Sequence, residues 1–231
     1  MKTIGILGGV GPKTTSHIYH SIIDFFRKSG KKTYPAILVY NLPFPFIIEN
    51  EAIVEGKNLH KMITYLINGA KILEKGGADF GILPCNTLHK YIDNIREAVN
   101  IPFLSIIDET LKYIKSEKIK SIGILATETT VKDKLYEDIL KKNEISVLYP
   151  SRSEQNKLNK IIVELISEKK KKLHKKVINE ICLSLNKKGA NAILLACTDL
   201  QIIASNIQAP IPVIDSTEIL INASLYLLNK K

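Results

Sequence analysis

The sequence predicts an α/β protein of two similar lobes, each built on a mostly parallel sheet with helices on both faces. Short apolar runs rich in β-branched residues alternate with longer amphipathic stretches, which is the pattern of strand–helix repeats. The order of motifs is also repeated. Residues 2–9 (KTIGILGG) return as 120–127 (KSIGILAT), and residues 81–87 (GILPCNT) return as 192–198 (AILLACT). We therefore expect two pseudo-symmetric, three-layer α/β/α lobes.

The apolar pattern predicts the strands and helices in order along the chain. One predicted helix stops at Gly76 and Gly77, a frequent signal for a helix C-terminus. In the first half we predict strands 3–7, 36–40, 80–83 and 103–106, and helices 14–29, 58–75 and 88–99. In the second half we predict strands 121–125, 146–148, 192–195 and 213–214, and helices 131–143, 155–185 and 216–228.

The repeat also predicts how the chain divides. We assign residues 1–108 and 211–231 to the first lobe and residues 109–210 to the second, with the last helix packing back on the first lobe. Ligands of parallel α/β sheets bind beyond the carboxyl ends of the strands, so we expect the active site there, in the cleft between the lobes. The segments at these strand ends are 8–12, 85–87, 127–130 and 197–198.

The chain carries a formal net charge of +10, which comes mostly from lysine, because Arg27, Arg96 and Arg152 are the only arginines. Lysines crowd residues 168–176, but this tract lacks the arginines and interleaved aromatic side chains that are typical of nucleic-acid recognition. We interpret it as the solvated face of a helix. No apolar run reaches the ~18 residues of a membrane span, and Met1 leads into a strand without the features of a signal peptide. We therefore expect a cytoplasmic protein with neither nucleic-acid nor membrane partners.

Cys85 and Cys197 each end an apolar run, at equivalent places in the two halves. A helix is predicted after each, so free backbone N–H groups and the helix dipole favour a thiolate and lower the thiol pKa. One thiol from each half can then handle a proton on both sides of a small substrate. The alternative is a small buried hydrophobe, which is what we expect of Cys182 within its helix pattern. The three cysteines have neither disulfide-framework nor zinc spacing, so we expect no metal.

The loop Gly8–Pro12 follows the first strand and departs from the phosphate-binding fingerprints at Pro12 and Thr14. We interpret it as a tight turn whose backbone amides bind a carboxylate, with a purely structural turn as the alternative. The candidate residues of this loop are Gly9, Val10 and Gly11.

Three further polar positions have two interpretations each. Thr127 takes the place of the glycine loop in the second half, where its hydroxyl binds a carboxylate oxygen or caps the next helix. Asn41 ends the second strand and either lines the cleft or belongs to a turn. His89 either lies on a helix surface or tunes Cys85.

These residues resemble the aspartate/glutamate racemase superfamily, and its aspartate racemase branch most closely. The similarity spans nearly the whole chain, and the two cysteine–threonine sites in register are its most specific feature. The matching segments are 5–12 (GILGGVGP), 41–43 (NLP), 83–89 (LPCNTLH), 123–127 (GILAT), 195–200 (LACTDL) and 213–217 (VIDST).

The resemblance implies a cofactor-independent amino-acid racemase, usually a homodimer, with a small amino acid as its substrate. By analogy, one of Cys85 and Cys197 is a thiolate that removes the α-proton, while the other is a thiol that protonates the opposite face. Aspartate is the substrate that the resemblance favours. The residues implied to hold the substrate's α-carboxylate and amino group are Asn86, Thr87, Thr127 and Thr198.

Departures from the family pattern bear on the substrate. Aspartate-specific relatives carry an arginine shortly after the Asn-x-Pro segment, whereas residues 44–49 (FPFIIE) have none. Their lysine before the second cysteine strand is missing from residues 163–168 (VELISE), where lysine arrives only at Lys169, and their glutamate after Cys-Thr is Asp199. Three alternatives follow: a racemase of another amino acid such as glutamate, a decarboxylase or isomerase with one dominant cysteine, and a non-catalytic two-lobed binding protein.

Overall fold

The computed structural model describes residues 1–49, 51, 57–167 and 172–230, and the chain divides into two units. The first unit comprises Met1–Glu109 and Thr217–Lys231, and the second comprises Thr110–Ser216. In each unit the described strands form a four-stranded sheet in which every neighbouring pair is parallel. The prediction of two parallel α/β units is therefore confirmed.

The first unit is built on a sheet with the strand order β2-β1-β3-β4, in which β1 is buried along its whole length. Two of its helices cross the boundary between the units: α5 continues past Glu109, and α11 begins one residue before Thr217. The elements are β1 (Ile4–Gly8), α1 (Pro12–Lys28), β2 (Ile37–Asn41), α2 (Phe46–Glu49), α3 (Met62–Lys75), β3 (Phe80–Ile82), α4 (Ile92–Ala98), β4 (Phe103–Leu104), α5 (Ile106–Ser116) and, at the end of the chain, α11 (Ser216–Asn229).

Helices cover both faces of this sheet because of the direction of its connections. The chain moves from β1 to β2 in one direction along the sheet, and from β2 through β3 to β4 in the other. Parallel crossovers are nearly always right-handed, so α1 lies on one face while α3 and α4 lie on the other. The strands are buried between the two layers, as their apolar sequences require.

The second unit repeats this arrangement with the strand order β6-β5-β7-β8. Apolar side chains of α8 and α9, such as Leu158 and Ile178, pack with Leu125 and Ile193 of the sheet in one buried cluster. The elements are β5 (Ser121–Ala126), α6 (Glu128–Lys132), α7 (Glu137–Lys142), β6 (Ser146–Leu148), α8 (Arg152–Ile166), α9 (Lys172–Lys187), β7 (Ala192–Ala196), α10 (Gln201–Ala204) and β8 (Val213–Asp215).

Helix α5 was not predicted, because the apolar run 103–106 was assigned as a whole to a strand. The strand is shorter and ends at Leu104. The hydroxyl oxygen of Ser105 accepts a hydrogen bond from the backbone N–H of Asp108 (3.1 Å), so Ser105 caps a helix that begins at Ile106. A local side-chain cap thus overrides the strand preference of Ile106.

Two predicted helices of the second half are each divided. The predicted helix 131–143 is α6 and α7, separated where Lys134 adopts a left-handed backbone conformation (φ 53°) that a helix cannot continue through. The predicted helix 155–185 is α8 and α9, and residues 168–171 between them lie outside the described residues. The side chains of the solvated helix face assigned to residues 168–176 are therefore described only from Leu173 onward.

The domain boundaries also differ from the expected ones. Residues 211–216 were assigned to the first lobe, but β8 pairs in parallel with β7, so this segment belongs to the second unit. At the other boundary Glu109 belongs to the first unit. The unit to which a strand belongs depends on the strand that it pairs with. The motif repeat at Ile211 and Pro212 marks only the segment before the final strand and does not mark the unit boundary. Within the described ranges, no helix combines the length and apolar character needed to cross a membrane.

Candidate active site

The two cysteines occupy equivalent positions in their sheets. Cys85 follows β3 after the short link Leu83–Pro84, and Cys197 immediately follows β7, which holds the same place in its sheet. Each residue is 6% exposed. Both thiols therefore lie at the carboxyl edge of a parallel sheet, which is where such folds bind ligands.

The backbone after each cysteine differs from the predicted helix. Residues Thr87–Tyr91 form a 3₁₀ turn before α4, and Thr198–Leu200 form another before α10. Neither Asn86 nor Cys197 caps its turn through a side chain. Because a short 3₁₀ turn has only a small aligned dipole, the predicted stabilisation of a thiolate by a helix N-terminus is weaker than expected. Asn86, Thr87 and Thr198 are all buried beside their cysteines.

The side chain of Thr15 closes the glycine loop of the first unit. The Thr15 hydroxyl accepts a hydrogen bond from the Gly9 N–H (3.2 Å) and donates one to the Gly11 carbonyl (3.3 Å). Gly9 and Gly11 both have left-handed backbone angles (φ 92° and 82°), which explains why the turn needs glycine there. Val10 between them is buried, so the structural-turn interpretation accounts for these contacts.

Two predicted residues of the first unit lie together at this edge. A side-chain carbon added at Gly9 would stand 3.0 Å from the Asn41 amide oxygen, so the Gly9 backbone packs directly against the Asn41 side chain. The β1–β2 register pairs Gly8 with Asn41, which brings the glycine loop beside the end of β2. Asn41 itself is exposed and available to solutes.

We expect Gly8→Ala to destabilise the first unit by about 1–3 kcal/mol, the usual cost of overpacking. An added methyl would overlap Thr15 Cγ2 and approach Thr15 Oγ1 to 2.8 Å, forcing apart the side chain that closes the loop. Chemical denaturation gives the free energy of unfolding. A Thr15→Ala background removes the two closest atoms and leaves Cβ at 3.2 Å, so the same Gly8→Ala change is expected to cost clearly less. Equal costs in both backgrounds would contradict the steric explanation.

In the second unit, Thr127 and Cys197 are neighbours at the edge of the sheet. They follow Ala126 and Ala196, which are paired in the β5–β7 ladder. The Thr127 hydroxyl accepts from the Thr130 N–H (3.2 Å) and donates to the Thr130 hydroxyl (3.0 Å), so it caps α6. The capping interpretation of Thr127 is the one that these contacts satisfy.

A buried amide that was not predicted positions the strand end before Thr127. Gln155, which is 6% exposed, donates through Nε2 to the Ala126 carbonyl (3.0 Å) and to Asn159 Oδ1 (2.8 Å). Asn159 in turn donates to Glu128, which also binds Arg152. Gln155 lies on the face of α8 that carries Leu158 and Ile162. A polar residue within this apolar stripe is the sequence pattern that could have identified Gln155 as a buried hydrogen-bonding residue.

Polar contacts also surround the end of β7. The Cys197 thiol donates to Asp199 Oδ2 across 3.9 Å. The Ser216 hydroxyl donates to the carbonyl of Leu195, two residues before the cysteine, at 2.8 Å. A nearby carboxylate favours the protonated form of a thiol, because it opposes a second negative charge.

His89 is a buried residue, which rules out the helix-surface interpretation: it is 2% exposed. Its Nδ1 lies 2.6 Å from the Cys85 carbonyl oxygen, and its Nε2 lies 3.0 Å from the backbone nitrogen of Ile106. Burial is the main reason that the pKa of His89 falls to about 4. The hydrogen bond to the Cys85 carbonyl opposes this fall most strongly, Arg96 adds a smaller lowering, and Asp108 and the Leu104 backbone raise the pKa slightly.

Cys182 is fully buried within the apolar cluster of the second unit, as predicted. Burial raises the pKa of its thiol to about 11, which leaves it protonated and unreactive at neutral pH. Among the residues that the structure describes, no group of three or more His, Cys, Asp or Glu side chains is arranged to hold a metal ion.

The chain has two α/β units with parallel sheets, and each unit has a cysteine after the corresponding strand of its sheet. These features define a duplicated α/β protein with one candidate catalytic thiol per unit. Residues 7–224 match the sequence model of the Asp/Glu/hydantoin racemase family. The chain belongs to this family and is an amino-acid racemase.

Individual relatives agree with this assignment. The broad specificity amino-acid racemase RacX of Bacillus subtilis is 34% identical over 226 residues, which are 96% of each chain. The crystal structure of an aspartate racemase homologue from Pyrococcus horikoshii is 29% identical over all of both chains, with a TM-score of 0.82. The structure of Picrophilus torridus aspartate racemase is 27% identical over all of this chain and 96% of that one, also with a TM-score of 0.82.

Proposed function

We propose that the protein racemises free amino acids without pyridoxal phosphate, with Cys85 and Cys197 as the two proton-transferring groups. The observation that carries the proposal is the equivalent placement of the two cysteines after β3 and β7. A racemase must remove a proton from one face of Cα and deliver one to the other, so a duplicated fold with one thiol per unit fits the reaction. A family assignment alone does not require both cysteines, but the repeated geometry supports both.

In the proposed reaction a thiolate takes the Cα proton and leaves the electron pair on the substrate as a carbanion delocalised into the carboxylate. The other thiol then transfers its proton to the opposite face, which inverts Cα and leaves the second sulfur as the thiolate. Because the α-proton of an amino acid is far less acidic than a thiol, positioned hydrogen-bond donors in a site closed to water must lower most of the barrier. We assign this role to polar groups beside the cysteines, namely Asn86, Thr87, Thr198 and Thr127, whose hydroxyl would exchange its bond to Thr130 for one to the substrate.

The contacts of Cys197 support a resting state in which it is the protonated thiol. Its S–H donates to Asp199, whose carboxylate disfavours a neighbouring thiolate. Cys85 is then the thiolate that accepts the first proton. In the reverse direction the two cysteines exchange these roles.

We propose a substrate range that includes aspartate and extends to other amino acids. The arginine and lysine that bind the distal carboxylate in aspartate-specific relatives are missing at residues 44–49 and 163–168. Without a cation at these two sequence positions, binding depends less on a side-chain carboxylate of the substrate. The broad specificity named for the Bacillus subtilis relative agrees with this range.

The test is to incubate purified protein with separate L-amino acids, including aspartate, glutamate, and neutral and basic examples, in heavy water. Early in the reaction we expect the D-product to carry deuterium at Cα while the remaining L-substrate still carries hydrogen, which is the signature of two separate bases. Proton NMR follows the Cα signal and chiral chromatography follows the enantiomers. Prior treatment with hydroxylamine, which inactivates pyridoxal phosphate enzymes, is expected to leave the rate unchanged.

Other outcomes identify the alternatives. Deuterium in the remaining L-substrate without inversion indicates a single base, and release of carbon dioxide indicates a decarboxylase. Saturable ligand binding with no exchange at Cα for any amino acid indicates a binding protein. Any of these three results contradicts the two-thiol racemase.

A further inference from the structure

His89 is a buried titratable side chain that the proposed proton transfer does not use, although it touches the backbone of Cys85. The imidazole Nδ1 lies 2.6 Å from the Cys85 carbonyl oxygen. On the other side of the ring, Nε2 accepts a hydrogen bond from the backbone N–H of Ile106 at 3.0 Å, across 17 residues of sequence. The ring therefore joins the residue that carries the thiol to the first residue of α5.

These two contacts permit one tautomer. The Ile106 N–H can only donate, so Nε2 presents its lone pair, while the Cys85 carbonyl can only accept, so Nδ1 carries the hydrogen. A protonated ring would direct a second N–H toward the N–H of Ile106 and would then have to turn to the Leu104 backbone, the other polar backbone group near the ring. The neutral, Nδ1-protonated imidazole is thus the form that satisfies both backbone groups in a buried position.

The backbone at Cys85 needs such a support because it lies beyond the paired part of the sheet. Strand β3 ends at Ile82, and the ladders to β1 and β4 end with it. Cys85 has a local hydrogen bond from its N–H to the Leu83 carbonyl (2.9 Å), and the chain then enters a 3₁₀ turn. The carbonyl of Cys85 is hydrogen-bonded to the His89 side chain at a position past the end of the strand ladder.

We infer that His89 is a positioning residue, which holds the Cys85 backbone against the start of α5 and so sets the direction of the thiol. The inference rests on the proposed function, because it assigns the direction of the thiol a role in proton transfer. A small displacement of a reacting group can lower a rate about 10²-fold, so a hydrogen bond to the carbonyl of the reacting residue is expected to matter for turnover.

The second unit has a different side chain at the corresponding place. The segments 101–106 (IPFLSI) and 211–216 (IPVIDS) align Ile106 with Ser216. Ser216 is the first residue of α11, as Ile106 is of α5, and its hydroxyl binds the carbonyl of Leu195, near the end of the strand that leads to Cys197. In both units, therefore, the first residue of the helix after the last strand is tied to the backbone near the cysteine.

The test uses two variants that each keep one of the two hydrogen bonds. In His89→Asn the amide nitrogen occupies about the position of Nδ1, so the bond to Cys85 is kept and the acceptor for Ile106 is lost. In His89→Gln the longer side chain places its oxygen near Nε2, so the acceptor for Ile106 is kept and the donor to Cys85 is lost. We expect kcat to fall about 10- to 100-fold in His89→Gln, with KM within about threefold of the wild type, and to fall clearly less in His89→Asn.

Alkylation by iodoacetamide, followed by mass spectrometry of the peptides, gives a readout that is independent of racemisation. The alkylation rate of Cys85 across pH is expected to change several-fold in His89→Gln, while that of Cys197 stays as in the wild type. Equal kcat in the two variants, or an unchanged Cys85 alkylation profile in His89→Gln, would overturn the inference. A wild type that alkylates as expected but does not racemise would contradict the proposed function instead.

A measurement on the wild type keeps the inference testable if neither variant folds. Nitrogen-15 NMR of labelled protein reports which ring nitrogen of His89 carries the hydrogen. We expect the Nδ1-protonated tautomer at neutral pH. The Nε2-protonated tautomer would contradict the inference, because that ring cannot donate to the Cys85 carbonyl.

Discussion

Cys85→Ala and Cys197→Ala are each expected to lower the rate of racemisation by about 10³-fold or more. Each variant lacks one of the two groups that exchange protons with Cα, and a positioned acid or base contributes about 10²–10⁴-fold to such a step. Both losses are expected because inversion needs both groups in every turnover. Circular dichroism of aspartate solutions, or chiral chromatography of other substrates, gives the rates.

The pattern of residual exchange is a sharper test than the loss of activity. A variant with a single thiol can remove and return a proton only on one face, so any remaining deuterium exchange in heavy water should be confined to one enantiomer. The favoured enantiomer is expected to be opposite in Cys85→Ala and Cys197→Ala. Full racemisation by either variant, or the same favoured enantiomer in both, would contradict a two-thiol mechanism.

Cys182→Ala is the matched control for both variants. It makes the same chemical change at a buried thiol whose raised pKa keeps it protonated and which lies within an apolar cluster. We expect its racemisation rate to equal that of the wild type when both are assayed well below their melting temperatures. Its stability is expected to fall modestly, because truncation leaves a small cavity.

The free energy of unfolding is expected to fall by up to about 3 kcal/mol through His89 alone as the pH is lowered from 6.5 to 4. The pKa of the buried ring is about 4 in the folded protein and about 6.5 in an unfolded chain. Between these values the unfolded state binds a proton that the folded state does not, so acid favours unfolding. The full contribution is present above pH 6.5 and is lost as the pH falls toward 4.

Urea denaturation at several pH values measures this effect. Carboxylates also lose stabilising interactions in acid, so the informative quantity is the difference in slope between the wild type and His89→Gln, which lacks the titrating ring. We expect a shallower fall in stability for the variant over this pH range. His20→Gln makes the same change at an exposed position on α1 and should keep the wild-type slope. Parallel curves for the wild type and His89→Gln would show that His89 does not contribute.

Most of the fold followed from local patterns. The apolar runs before Gly8 and Cys197 have the lengths and β-branched composition of buried parallel strands, and their repetition predicted two similar sheets. The two cysteines were found for the same reason, because each ends such a run. Two local effects that compete with the apolar pattern were not predicted. The cap at Ser105 starts α5 within an apparently continuous apolar segment, and the left-handed Lys134 divides a helix.

The side chains that hydrogen-bond to the backbone around the candidate site were not predictable from hydrophobic periodicity. Gln155 is 29 residues from the Ala126 carbonyl that it binds, and His89 is 17 residues from the Ile106 N–H. A helical polar residue has the same local pattern whether it faces water or a buried carbonyl. Its partner is known only after the strands and helices have packed.

The sequence by itself determined the class of fold, the repeat and the position of one thiol at the end of a strand in each half, because strand and helix periodicity are local properties of the chain. Only the tertiary structure decided that β8 pairs with β7, that the cysteines precede 3₁₀ turns, and that the buried His89 contacts the Cys85 carbonyl. The strand pairing and the bond from Ile106 to His89 join groups distant in sequence, and the turns form where local bonds compete with helix formation; burial makes each such bond costly to leave unmade.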